Sequence, residues 1–181
     1  HRFFVRGNPE KAGRIARHLI DLHPDWGGLW KARILVGQGV ALVRMGQPES
    51  TAVLQEALNI LEQPELEGDP WTIRHYIATA YLHQGLQARA EGNVGRAAEM
   101  NEKAQRFFGE NGEPIGAVRA LNNLAYVMTL QGRYAQAILA AEEAANLRRK
   151  LGDVVGLGLS LNTLAIAEDR AGTYFRARTH T

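Results

Sequence analysis

Histidines, carboxylates and glycines are the residues of this chain that could do chemistry, but none of them forms a catalytic or metal-binding pattern. The six histidines include no pair at the spacing of a helical metal site; His75 and His83, on one predicted helix, are more than two turns apart. Two short Gly-x-Gly stretches, at residues 37–39 and 156–158, lack the Gly-Lys-Ser/Thr of a phosphate loop. The sequence therefore predicts no catalytic residues, no metal and no cofactor, and we expect a protein that is not an enzyme.

The composition is that of a globular chain with no concentrated charge. Of the 181 residues 45% are hydrophobic and 22% charged, cysteine is absent, and the formal net charge is +2. Spread charge of this kind argues against nucleic-acid binding, and no apolar run is long enough to cross a membrane. We expect a soluble cytoplasmic protein. The opening at His1 and the partial repeats at both ends favour a fragment of a longer chain.

An internal repeat of about 40 residues organises the chain. A shift of 40 residues superposes one stretch on the next with many identities. The residues that coincide are Gly116, Leu121, Asn122, Leu124, Ala125, Gly132, Tyr134 and Ala137 with Gly156, Leu161, Asn162, Leu164, Ala165, Gly172, Tyr174 and Ala177. Gly7, Gly46 and Gly92 recur at a similar spacing towards the N-terminus, so we interpret these glycines as the joints of successive repeat units.

Each unit has the apolar spacing of two helices on either side of its joint. Residues 115–131 carry apolar side chains at three- and four-residue steps, Gly132 is suited to end that helix in the left-handed conformation, and residues 133–150 repeat the pattern. Because the joint is so short, the two helices must be antiparallel neighbours. The segment 63–70 contains two prolines and a glycine, which predicts one longer connection.

Small residues recur where paired helices would cross. A larger side chain at such a contact would cost about 1–3 kcal/mol through overpacking. The equivalent positions are Gly39, Gly85, Ala125 and Ala165 in first helices and Ala97, Ala137 and Ala177 in second helices.

The pattern is similar to the tetratricopeptide repeat, in the roughly 40-residue variety of kinesin light chains and bacterial signalling proteins. The stretch 120–137 carries the resemblance most strongly, together with Leu151-Gly152-Asp153 and the following Gly156. The resemblance implies an all-α, right-handed superhelical solenoid of antiparallel helical hairpins. It predicts one repeat domain over residues 1–181, with units at 1–26 (partial), 27–66, 67–113, 114–153 and 154–181 (partial).

By the same resemblance, the first helices line a concave groove that binds a partner. The residues implied as partner contacts are Thr79, Leu82, Leu86, Arg89, Arg119, Asn122, Tyr126, Thr129, Asn162, Ile166 and Asp169, and the same ridges include Arg33, Val36, Val40, Val43 and Leu159. In similar repeats an asparagine at the place of Asn122 and Asn162 hydrogen-bonds the backbone of a bound peptide. The alternative is that both amides hydrogen-bond within the stack of helices.

Two further features of the predicted groove leave alternatives open. Arg89 and Arg119 could hold an acidic group of a ligand, or be solvated, or pair with Asp169 or a second-helix glutamate. The apolar ridge at Leu35, Val36, Val40, Leu42 and Val43 could be covered by another domain of the same chain.

Two hypotheses for function follow. The first is a protein–protein interaction module that binds a peptide or helix in its groove as an adaptor or scaffold. The second is the sensor segment of a multidomain, ATP-dependent signalling or transcriptional regulator, binding a small inducer or its own ATPase domain. If the groove assignment is right, Leu82→Asp combined with Asn122→Ala should abolish partner binding without lowering the melting temperature.

Overall fold

The computed structural model describes residues 8–23 and 26–179, with side chains described as far as residue 172. This part of the chain is all-α and contains no strand, which confirms the predicted fold class at that level. The helices are α1 (Pro9–Leu22), α2 (Gly28–Arg44), α3 (Ser50–Leu61), α4 (Pro70–Ala90), α5 (Val94–Glu110), α6 (Pro114–Leu130), α7 (Tyr134–Leu151) and α8 (Val154–Thr179). They fall into two compact units, unit 1 within His1–Gly92 and unit 2 within Asn93–Thr181. The prediction of a single repeat domain stays a prediction.

The helix joints use glycine as the repeat predicted. At Gly132, φ is 75°, in the left-handed region that an L side chain rarely adopts. Its N–H donates to the Thr129 carbonyl, and the following Arg133 N–H donates to the Met128 carbonyl at 2.9 Å, which satisfies carbonyls left open at the end of α6. Gly46, Gly92, Gly112 and Gly152 have the same sign of φ, whereas Gly7 lies outside the described residues.

Small residues permit close helix packing at several of the predicted crossings. A Cβ at Gly39 would lie 2.5 Å from the side chain of Leu54 on α3, so the two helices approach too closely for alanine without displacing that side chain. Ala97, Ala125 and Ala137 are fully buried. Ala165 is exposed, contrary to the prediction, and Ala177 lies beyond the described side chains.

The joint predicted at Gly172 is absent, because α8 continues through it to Thr179. A helix that continues keeps a backbone hydrogen bond at each residue, whereas a turn must be compensated by the packing of a second helix. A glycine inside a helix costs only about 1 kcal/mol relative to alanine. Continuation of α8 also explains why no helix from the described part of the chain covers Ala165.

In unit 1 each helix packs on the next one in sequence, and α2 also packs directly against α4. Residues 62–69 form the predicted long connection between α3 and α4. Its Leu66 and Gly68 lie against the first residues of α2, where a Cβ at Gly68 would be 2.6 Å from Leu29. The connection ends at Asp69, whose carboxylate accepts from the N–H and the hydroxyl of Thr72 at the start of α4. These hydrogen bonds, with that of the Thr72 side chain first, lower the pKa of Asp69.

Helix α4 is the most enclosed element of unit 1. Residues 80–85 are buried in succession, so the middle of the helix has no solvent-facing side. Two of the polar side chains on it have hydrogen-bond partners: Gln84 donates to the Gln55 amide oxygen at 3.3 Å, and Tyr81 donates to Glu62 at 2.6 Å.

In unit 2 the four helices α5 to α8 also pack in sequence, and α6 packs directly against α8. Val118, Leu121 and Ala144 form a buried cluster between α6 and α7. Gly116, which coincides with Gly156 in the repeat, has a packing role, because a Cβ at Gly116 would lie 2.5 Å from the ring of Phe108. At the matching place on α8, a Cβ at Gly156 would meet Asp153 and Arg148.

Candidate functional site

The predicted contact residues of unit 1 lie on α4, and the structure corrects one of them. Leu82 is only 1% exposed, so its side chain is part of the packed interior and is not available to a ligand. Thr79, Leu86 and Arg89 are half-buried on the same helix. Leu35, Val36 and Leu42 of the apolar ridge on α2 are also buried, while Val40 and Val43 are half-buried.

On α6 in unit 2, the four predicted contact residues differ in accessibility. Arg119 is exposed, and Asn122 and Tyr126 are half-buried on the same stripe of the helix. Thr129 is buried, and its hydroxyl donates to the Ala125 carbonyl one turn earlier at 3.1 Å. Thr129 is therefore committed to its own helix, which removes it from the set of ligand contacts.

On α8, the side chains of the predicted contact residues are more exposed to solvent than those on α6. Asn162 and Asp169 are exposed, Ile166 is half-buried, and Leu159 on the same stripe has 59% of its surface exposed. Since α6 and α8 pack against each other, the two stripes belong to neighbouring helices. We call the accessible residues of these stripes the α6/α8 face, which comprises Arg119, Asn122, Tyr126, Leu159, Asn162, Ile166 and Asp169.

Asn122 has an unsatisfied acceptor on this face. Its Oδ1 is buried and accepts no hydrogen bond from any described residue. A buried polar atom without a partner costs about 1–3 kcal/mol, which is why such atoms are uncommon in folded chains. The peptide contact of Asn122 stays a prediction, to which the unpaired Oδ1 is relevant.

The charge of Arg119 is balanced from within unit 2. Loss of surrounding water lowers the pKa of Arg119, although its side chain is partly exposed, and the Asp153 carboxylate acts in the opposite direction. Asp153 lies at the start of α8 and is not one of the acidic partners considered from the sequence. An arginine remains ionised at neutral pH despite such a shift.

Asp153 also serves a buried arginine. Arg148, 2% exposed, donates to the carbonyl of Gly156, and its Nε lies 4.0 Å from Asp153 Oδ2. The Gly156 N–H donates in turn to Asp153 Oδ1 at 2.9 Å. Burial lowers the pKa of Arg148, and Asp153 opposes that shift. These contacts join the end of α7 to the start of α8, so we assign them a role in stability.

Unit 1 presents a row of aromatic and cationic side chains that the sequence reasoning missed. The Arg33 guanidinium lies 4.5 Å from the Trp30 ring and 5.5 Å from the Tyr76 ring, and its Nε donates to the Tyr76 hydroxyl at 3.2 Å. The His75 ring contacts Tyr76 edge-on and stacks with Trp71 at 5.5 Å. We call Trp30, Arg33, Tyr76, His75 and Trp71 the aromatic row.

The aromatic row spans α2 and α4 because those helices pack directly against each other. Its outer members remain accessible: 62% of Trp30 and 51% of Trp71 is exposed. The sequence contained a signal for this row, since Trp30 and Trp71 lie near the starts of α2 and α4, the first helices of two successive predicted repeats.

A cavity of about 390 Å³ lies elsewhere in unit 1. It is lined by Ile20, Asp21, His23, Trp26, Lys31 and Ile34, and the rings of His23 and Trp26 stack at 4.0 Å. Its volume is within the range of small-molecule sites.

Among the described residues, no cluster of histidines and carboxylates could hold a metal ion, and no helix has the length and apolar character needed to cross a membrane. Comparison with protein-family models and with curated proteins finds no match, so the resemblance to tetratricopeptide repeats is carried by the residues of the chain itself.

Proposed function

We propose that this chain is a non-catalytic protein-interaction module, a solenoid of tetratricopeptide-like hairpins that binds a peptide or helix as an adaptor or scaffold. The order of packing supports the proposal. Within each unit, every helix contacts its sequence neighbour, and first helices also contact each other, α2 with α4 in unit 1 and α6 with α8 in unit 2. Hairpins that stack in this way place their first helices side by side along one surface.

The observation that carries the proposal is the unpaired Oδ1 of Asn122. Because Asn122 is half-buried, rotation of its amide would bring the oxygen to the surface, where a backbone N–H of a bound peptide would supply the missing donor and regain the free energy lost to the unpaired acceptor. An amide side chain recognises backbone groups without depending on the partner's side chains. Leu159 and Ile166 supply accessible apolar surface on α8, the helix that packs against α6.

The first test replaces Asn122 by leucine, which has a similar size and no polar atom. We expect Asn122→Leu to leave the melting temperature unchanged or raise it, because a buried acceptor without a partner is removed. We also expect partner binding to fall by about fivefold, since the lost hydrogen bond contributes on the order of 1 kcal/mol. Circular dichroism melting and affinity capture from the source lysate, quantified by mass spectrometry, measure the two effects.

Asn123→Leu is the matched control, because Asn123 is half-buried and points to a different side of α6. It should leave capture unchanged. A large loss of stability in Asn122→Leu would instead assign Asn122 to the packing of the helices, and equal capture by both variants would remove it from the binding surface.

A second candidate function, a sensor segment of a multidomain regulator, is favoured by the cavity in unit 1. Its lining combines apolar surface with Asp21, His23 and Lys31, which suits a small polar ligand. A ligand bound there would stabilise unit 1 by mass action. A thermal-shift screen of small metabolites against the protein tests this candidate, and a saturable increase in melting temperature that Ile34→Trp abolishes would support it.

A further inference from the structure

We propose that the Asn111–Gly112 pair at the joint between α5 and α6 is a site of spontaneous covalent modification, where the side-chain amide of Asn111 is lost as ammonia when the joint opens. The reaction needs no enzyme, oxidant or cofactor, because the nucleophile and the leaving group belong to the chain and water is the other reactant. The proposal is independent of the partner-binding function proposed above.

The residue before the glycine distinguishes this joint from the others. The residues that precede the positive-φ glycines at the helix joints are Met45, Glu91, Asn111, Gln131 and Leu151. When the next backbone nitrogen attacks the side-chain amide carbon, an asparagine closes a five-membered ring, which forms more readily than the six-membered ring of a glutamine. Glycine has no side chain to obstruct the attack, and Asn111 is the only asparagine of the chain that a glycine follows.

The reaction is the deamidation of asparagine through a cyclic imide. The Gly112 nitrogen attacks Cγ of Asn111 and loses its proton to a base in the solvent. The Cγ–Nδ2 bond breaks, Nδ2 takes up a proton from solvent and leaves as ammonia, and a succinimide ring remains in the backbone. Water then opens the ring at either carbonyl, which gives aspartate or isoaspartate at position 111. The net change is hydrolysis of an amide to a carboxylic acid and ammonia, without oxidation or reduction.

The folded joint keeps the reacting atoms apart. Asn111 has φ −85° and ψ −1°, next to the helical region, so the Gly112 nitrogen is directed away from the Asn111 side chain. The Gly112 N–H donates to the Gly109 carbonyl at 3.1 Å, and Asn111 Nδ2 donates to Glu113 Oε1 at 2.6 Å. Asn111 is also only 8% exposed. Ring closure requires ψ of Asn111 to rotate and these hydrogen bonds to break, so the reaction depends on opening of the end of α5.

The products fit the joint less well than asparagine does. Aspartate at 111 would place a carboxylate where Nδ2 now donates to the Glu113 carboxylate, so two negative charges would lie at hydrogen-bond distance. This charge would also lie at the C-terminal end of α5, where the helix dipole disfavours an anion. Isoaspartate adds a methylene to the backbone, which displaces the Gly112 and Glu113 N–H groups from the last carbonyls of α5. The modified joint therefore closes less stably, and the modification is a lasting record of an earlier opening.

Peptide mapping of the full chain measures the reaction. After incubation at mildly alkaline pH, trypsin releases residues 107–119, a peptide bounded by Arg106 and Arg119 in which Asn111 is the only asparagine. An unincubated sample corrects for deamidation during digestion, and a synthetic peptide of the same sequence gives the unprotected rate. We expect mass spectrometry to show deamidation of the folded chain at a rate about ten- to hundredfold below that of the peptide, because the end of a helix opens at a modest cost in free energy.

The comparison has outcomes that would overturn the proposal. Equal rates in the folded chain and the peptide would show that the joint does not control the reaction, and no product in the folded chain after the peptide has reacted completely would show that the joint is not a modification site. Asn146 is the internal control, because it is exposed on α7 but is followed by Leu147. It should stay unmodified, and faster deamidation there than at Asn111 would contradict the assignment. Asn111→Gln should reduce the mass change of the 107–119 peptide to background.

Asn111→Asp, which reproduces the aspartate product, tests the effect on the fold. We expect its melting temperature at neutral pH, measured by circular dichroism, to be lower than that of the unmodified chain. Combining it with Glu113→Gln should recover much of the loss, because one of the two facing carboxylates is removed, and Glu113→Gln alone is the reference. An Asn111→Asp chain as stable as the unmodified chain would overturn the inference that the modification weakens the joint.

Discussion

Replacing Leu82 by aspartate should lower the free energy of unfolding by about 3 kcal/mol or more, because the side chain is almost completely buried. Truncating a buried leucine to alanine alone costs about 2–5 kcal/mol, and aspartate adds the penalty of placing a charged or neutralised carboxyl in an apolar interior. Urea denaturation followed by circular dichroism measures the loss. The sequence-based expectation of an unchanged melting temperature for Leu82→Asp with Asn122→Ala is therefore replaced by its opposite.

Leu86→Asp and Leu159→Asp are the matched comparisons for Leu82→Asp. Leu86 is half-buried one turn later on the same helix, and Leu159 is 59% exposed on α8. The loss of stability should follow burial and be smallest for Leu159→Asp, within about 0.5 kcal/mol. A stable Leu82→Asp protein would show that the side chain at position 82 is not enclosed by the neighbouring helices.

Replacing Asp153 by asparagine should lower the free energy of unfolding by about 2 kcal/mol or more. Asparagine preserves an oxygen that can accept from the Gly156 N–H at the start of α8, so the helix cap is retained. What is removed is the negative charge beside the buried Arg148 and near Arg119. An uncompensated buried cation is costly, although the 4.0 Å separation from Arg148 Nε and the partial exposure of Asp153 moderate the effect.

Arg148→Met separates this electrostatic effect from packing. Methionine fills much of the same space without a charge, so Arg148→Met should lower the free energy of unfolding by less than Asp153→Asn does. In the double variant the loss in free energy of unfolding should be smaller than the sum of the two single losses, because asparagine at 153 no longer faces a buried cation. Urea denaturation of the four proteins measures the coupling. A milder effect of Asp153→Asn than of Arg148→Met would show that Asp153 acts only as a helix cap.

The positions of the helices could be predicted because local signals determine them. Apolar spacing indicates α6 and α7, and the glycine between them adopts the positive φ that only glycine takes without strain. At Gly172 the same local signal failed, because a turn there would need the packing of a second helix to compensate for the broken backbone hydrogen bonds.

The accessibility of predicted contacts was harder to read from sequence. Periodicity states which residues share a side of a helix, but it does not state which side is covered when the helix is apolar all round. The middle of helix α4 is buried on every side although it carries His83 and Gln84, which is why Leu82 was assigned to a surface. The aromatic row was missed for a related reason: Arg33 and Tyr76 come from different helices and meet only through the packing of α2 on α4.

The enclosure of α4 has a consequence for local motion within unit 1. Backbone amides exchange with deuterium through the opening motion that costs the least free energy, and a helix with one solvent-exposed side can open locally. With residues 80–85 buried in succession, α4 cannot release its middle turns without exposing apolar surface on every side. The amides of those turns should therefore exchange only when unit 1 unfolds cooperatively, whereas those of α1, where just Ala12 and Ala16 are buried, exchange through fraying.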